Sequence, residues 1–201
     1  MQLIDLATET LQYARQCGAD AGDVIIATGE SFSASVRLGA VEKVLNSQEK
    51  RMGLRFFTGK SSAITSTANF SREAIHTLVQ ETVALAKATA EDEFAGLPMA
   101  EELAQGLPDL DLADTSVALT PESKIALARE AEAAALQVDA RITNSEGGDF
   151  SNSSREIVYA NTLGFVGQYN TTSYSLSAVP VASHNGAMQR DYWHSSHRKL
   201  H

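Results

Sequence analysis

The sequence predicts an α+β fold, with antiparallel sheets packed against helices. Three observations predict it. Three stretches carry apolar residues at three- and four-residue spacing, as a helix with one buried face requires. Around them lie runs in which apolar and polar residues alternate, the period of a half-buried strand. Short turns rich in glycine and asparagine join these runs, too short for the crossovers that parallel strands need. A helix followed by a meander of strands occurs twice in outline, without a sequence repeat.

The first helix is expected over residues 3–17, with Leu3, Leu6, Thr10, Tyr13 and Cys17 along one face and Gly18 as its stop. Residues 24–28 form a short apolar strand. Phe32, Ala34, Val36 and Leu38 then alternate with Ser33, Ser35 and Arg37. Gly39-Ala40 turns the chain, and Val41, Lys43 and Leu45 share the next face. Residues 54–58 and 62–67 flank Gly59-Lys60, a hairpin turn. Ser71 caps a helix over 71–90 whose buried stripe is Ile75, Leu78, Val79, Val83 and Ala86.

Thr120-Pro121-Glu122 opens the third helix, with a capping hydroxyl, proline in the first turn and an acid at the positive end of the dipole. It reaches about Val138, and Ile125, Ala128, Ala131, Ala135 and Val138 line one face. A second β region follows, with strands over 156–160, 164–169, 173–179 and 186–193. Gly147-Gly148 reads as a turn.

The organisation expected is one region over 1–201, with sub-units 1–91 and 120–201 joined by an acidic segment, 92–119. That segment holds Glu101, Glu102, Asp109, Asp111 and Asp114 between and around Pro98 and Pro108. It is either a loose loop or a strip pinned to the surface, and Leu107, Leu110 and Leu112 favour pinning.

Composition excludes some functions. No apolar run approaches the roughly 20 residues that span a bilayer, and the first residues lack a secretory signal. The single cysteine, Cys17, reads as a small buried apolar residue rather than a nucleophile. These features point to the cytoplasm. A net charge of -9 disfavours nucleic-acid binding, which rests on Lys and Arg. The densest basic group, Arg190, His194, His197, Arg198 and Lys199, reads as the solvated start of a further element.

No catalytic, cofactor-binding or metal-ligating residue is expected. A catalytic zinc needs three protein ligands, and His76, His184, His194, His197 and His201 include no His-Glu-x-x-His motif. His194 and His197, or His197 and His201, have chelating spacing, but no carboxylate is placed to join them. The alternating serines Ser31, Ser33 and Ser35, or Ser173, Ser175 and Ser177, read as solvated strand faces. No Gly-x-Ser-x-Gly elbow accompanies them. Asp109 and Asp111 lack the rest of a calcium loop. One arrangement has chemical promise: residues 62–67 and 171–177 are half-polar strands that offer an open sheet edge to an extended peptide, unless the same protein or a partner subunit covers them.

Several runs carry a family resemblance. They are residues 35–44, 53–56, 66–74 and 107–112, and above all 141–150 with 158–165 and 188–193, the last ending in Tyr192-Trp193. Together they resemble the amino-terminal half of the TldD/PmbA family, on its PmbA (TldE) side. The resemblance implies a non-catalytic subunit of a zinc-dependent peptidase that trims or degrades unstructured peptides. Zinc belongs to a TldD-like partner, which carries a His-Glu-x-x-x-His motif and a cysteine ligand in its carboxy-terminal half. The partners implied are that subunit, the chain's own absent carboxy-terminal domain and extended peptides. The family's older description, modulator of DNA gyrase, is expected to report an indirect effect. The alternative is a stand-alone peptide- or protein-binding module.

Overall fold

The computed structural model describes residues 2–200. Helices α1 (Leu3–Gln16), α2 (Arg72–Ala88) and α3 (Pro121–Leu136) accompany seven strands. These are β1 (Ala21–Arg37), β2 (Ala40–Thr58), β3 (Ser61–Thr67), β4 (Ile142–Asn161), β5 (Val166–His184), β6 (Ala187–Arg190) and β7 (Trp193–His197). The strand order is β3-β2-β1-β4-β5-β6, with β7 also paired to β5. The α+β class and the helix-then-meander order are as expected.

The strands are longer than the sequence suggests. Residues 24–28 and 32–38 belong to one strand, β1, and the two pieces assigned to 164–169 and 173–179 are both β5. Gly147-Gly148 is not a turn but lies inside β4. The glycines are there because something passes close by. A Cβ on Gly148 would collide with the Ala128 carbonyl and stand 2.9 Å from the Glu132 Cβ, so α3 lies directly on the strand. The assigned strand 186–193 splits into β6 and the start of β7.

The chain forms two compact units, each built from three segments. The first comprises residues 1–28, 49–110 and 156–169; the second comprises 29–48, 111–155 and 170–201. Strands β1, β2, β4 and β5 therefore contribute residues to both.

In the first unit, α1 buries Leu6, Ala7, Leu11 and Ala14, and α2 buries Ile75, Val79 and Val83. They join Val24, Ile26, Met52, Leu54, Phe56 and Val158 in one apolar core. Ser71 caps α2 as expected, its hydroxyl accepting from the Ala74 amide. Tyr13 stacks on His76 at 3.8 Å and ties the two helices. In the second unit the core is smaller: Phe32, Ala34, Val36, Ala128, Phe150 and Tyr174. Helix α3 is capped by the Thr120 hydroxyl, which accepts from Ser123, and it buries only Ala128 and Glu132. It ends at Leu136, so the expected face does not extend to Val138, which is 77% exposed.

The acidic segment is pinned, mainly by polar contacts, and of its three expected leucines only Leu112 is half-buried. Leu107 and Leu110 are exposed. Polar contacts hold it: the Thr172 amide donates to the Leu112 carbonyl, and the Asp114 amide donates to the Thr172 hydroxyl. Asp114 in turn accepts from Ser116 and from the Leu200 amide, and Lys199 bonds Asp111 at 2.5 Å.

Candidate functional site

The surface best suited to a ligand is an edge. The turn between β2 and β3 has only two residues, Gly59 at φ +59° and Lys60, so Thr58 and Ser61 are directly paired. Pairing then continues through Phe56 with Ala63, Leu54 with Thr65 and Met52 with Thr67. In an antiparallel ladder the intervening residues turn their main-chain groups the other way. For β3 these are Ser62, Ile64 and Ser66, and β3 is terminal in the strand order. The opposite face is occupied: Thr65 bonds Thr82 of α2, while Ile64 is 71% exposed.

The second expected edge, residues 171–177, is covered. Strand β7 pairs along it, with Tyr174 opposite His197 and Ala178 opposite Trp193. Of the group the sequence presents as solvated, His194 and His197 lie in the strand that closes this edge. The group's charges are engaged: Arg190 bonds both oxygens of Glu146 at 2.8–2.9 Å, and Arg198 donates to Thr171. Arg190 and Lys199 are thus paired with carboxylates of their own unit, whereas Arg198 meets a neutral hydroxyl.

Three of the serines expected on solvated faces, Ser31, Ser33 and Ser173, come together with Ser47, Ser151 and Ser153 from four strands. They line an uncharged groove of about 290 Å³ in the second unit. The Asn152 side-chain oxygen beside it is buried without a partner in the protein.

The histidines are dispersed. His76 stacks on Tyr13, His184 contacts Asn185, His194 stacks on Tyr192 and His197 contacts Lys199. His201 lies outside the described residues. Among the described residues, no group of three or more His, Cys, Asp and Glu is arranged to hold a metal. These residues do not fit a zinc centre of three protein ligands. Cys17 is half-buried.

Two polar clusters escaped the sequence reading. In the first unit, Arg55 forms a fork onto Asp23, which also accepts from the Tyr159 hydroxyl at 3.1 Å. Bonding to Asp23 raises the Arg55 pKa, and desolvation, reinforced by Asp23, raises that of Tyr159. In the second unit, the buried Glu132 carboxylate accepts the Leu38 and Gly39 amides at 2.8 and 2.9 Å, and Arg129 donates to the Gly39 carbonyl. Leu38 and Gly39 both have positive φ, 48° and 77°, as a type I′ turn demands. A glutamate four residues after a buried alanine, on an otherwise alanine-lined face, was the signal available for this latch.

Two models of one family match the chain: PmbA/TldA metallopeptidase domain 1 over residues 22–86, and the PmbA/TldA metallopeptidase central domain over residues 114–200. The chain belongs to the PmbA/TldD family. Metalloprotease PmbA of Escherichia coli O157:H7 is 33% identical over 199 residues, covering 99% of this chain and 44% of that protein. A PmbA homolog of Haemophilus influenzae is 33% identical, over 94% of this chain and 42% of its own length. The chain therefore spans less than half the length of the curated relatives it matches. Among solved structures, one described as a modulator of DNA gyrase from Bacteroides thetaiotaomicron superposes with a TM-score of 0.86 at 25% identity, covering 96% of this chain and 44% of that one. TldE from Thermococcus kodakarensis shares the fold, with a TM-score of 0.80 at 14% identity over 96% of this chain and 43% of its own. Among the described residues, no helix is long and apolar enough to cross a membrane.

Proposed function

We propose that this chain is the amino-terminal part of a PmbA/TldE-like, non-catalytic subunit, acting with a TldD-like partner that holds zinc and cleaves unstructured peptides in the cytoplasm. The observation that carries the reading is the match to both family domains, joined to relatives named as metalloproteases. The chain's work is then to wall the peptidase, contact the partner and hold extended substrate.

The test is co-purification with the TldD-like protein of the same genome, using this chain and a version extended to the relatives' full span. Zinc content and hydrolysis of an unfolded peptide are measured on each sample. Zinc and cleavage confined to samples containing the TldD-like protein are expected. Chelator-sensitive cleavage by this chain alone overturns the non-catalytic assignment. A second reading, a peptide-binding module with no protease attached, is favoured by the hydroxyl-lined groove. Tight peptide binding by the isolated chain, without affinity for the TldD-like protein, would establish it instead.

A further inference from the structure

From Ser62 onward, the outer edge of β3 lacks the charges and prolines that protect exposed strand edges. Residues 61–67 read Ser-Ser-Ala-Ile-Thr-Ser-Thr, with no charge, no proline and no glycine. Among the described residues, no main-chain bond from outside the β2–β3 ladder reaches Ser62, Ile64 or Ser66. Each of these residues offers one donor and one acceptor along that edge. Only the start of the strand is guarded: the Asp92 amide donates to the Lys60 carbonyl and the Ser61 hydroxyl to the Thr89 carbonyl.

The outward residues have a further property. Ser62, Ile64 and Ser66 form a palindrome about Ile64. Two copies brought edge to edge, antiparallel and centred on Ile64, place Ile64 opposite Ile64 and Ser62 opposite Ser66. Both ends of the pairing match hydroxyl to hydroxyl, the centre matches apolar to apolar, and no like charges meet. A two-fold interface requires this kind of self-complementarity. The exposure of Ile64 falls at the point where the two copies would bury it.

We infer that the β3 edge is a self-association surface, which joins a second copy of this chain by antiparallel pairing about a two-fold axis at Ile64. The inference stands apart from the peptidase reading, since it concerns only this chain with itself. A pairing this short lies at the small end of protein interfaces, so the dimer is expected to be weak and concentration-dependent.

Cross-linking supplies a register-specific test. In the paired geometry Ile64 and its symmetry mate form a hydrogen-bonded pair with Cα atoms about 5.5 Å apart. Opposite Cβ atoms at such a pair stand about 5.5 Å apart, wider than a direct disulfide prefers but within reach of a short thiol-to-thiol cross-linker. Two Ser66 residues would lie about 14 Å apart, four residues' rise along the strands. In a Cys17→Ser background, Ile64→Cys is therefore expected to be joined into a covalent dimer by a cross-linker too short to span that distance, and Ser66→Cys is not. Sedimentation from micromolar to submillimolar concentration should show a dimer for the unmodified chain. Ile64→Lys or Ser66→Pro, with thermal melting confirming the fold, should leave monomers. A monomer at every concentration, a dimer that survives Ile64→Lys, or equal cross-linking at both cysteine positions overturns the inference. So does an edge that binds an extended peptide while the chain stays monomeric.

Discussion

The first unit fills its interior with Met52, Leu54, Phe56, Val24 and Ile26 from the sheet and stripes of two helices. The second has one helix, which buries only Ala128 and Glu132, so the largest side chain that helix buries is a glutamate. The two units thus reach order differently. In the first, stability scales with apolar area removed from water, and several side chains share the load. In the second, a small core is supplemented by polar contacts of fixed geometry: Glu132 on the hairpin turn, Ser35 on Asp149 and Asp114 on the Leu200 amide. Volume matters most in one unit, hydrogen-bond completeness in the other.

The comparison can be broken in order of expected effect. Phe56→Ala empties the largest fully buried side chain of the first core and should cost about 3–5 kcal/mol, read from urea unfolding. Glu132→Ala leaves the Leu38 and Gly39 amides without their acceptor and should cost about 2–3 kcal/mol, while Glu132→Gln, which keeps an acceptor, costs less. If alanine and glutamine prove equal, the latch does not act through its hydrogen bonds. Gly148→Ala pushes a methyl against the Ala128 carbonyl and should cost about 1–3 kcal/mol, with reduced amide-exchange protection in α3. The smallest effect depends on pH. The Tyr159 pKa is raised in the folded chain, so its contribution is fully present below the ordinary tyrosine pKa near 10. That contribution is lost as pH climbs through the folded value. Tyr159→Phe should therefore flatten the alkaline fall in melting temperature. An unchanged alkaline limb would show that the hydroxyl does not report on folding.

What could be read from the sequence follows the same divide. The helices of the first unit were legible because caps and stripes are local: Ser71 precedes α2, and Ile75, Val79, Val83 and Ala86 recur on one face. The strand lengths were not, because glycine has two uses. At 59–60 it turns the chain, whereas at Gly29 and Gly148 it admits a neighbour; a Cβ on Gly29 would stand 2.8 Å from the Ser154 carbonyl. Only tertiary structure distinguishes the two. The β3 edge was legible as half-polar alternation, but the covering of residues 171–177 was not. Its cover, β7, is a short run of serines and histidines beside Trp193, with little strand character of its own. The Glu132 latch was hidden for a related reason: a glutamate in a helix is ordinarily solvated, and its partners lie more than ninety residues away.

The three-segment build of each unit has a practical consequence for dissecting the protein. No single cut of the chain releases either unit whole. A break in the acidic segment, between the two matched family domains, would leave the first unit without residues 156–169 and the second without residues 29–48. Fragments made at that boundary would carry strands with absent neighbours and main-chain groups with no partner. They should come together as complementing halves rather than behave as independent domains.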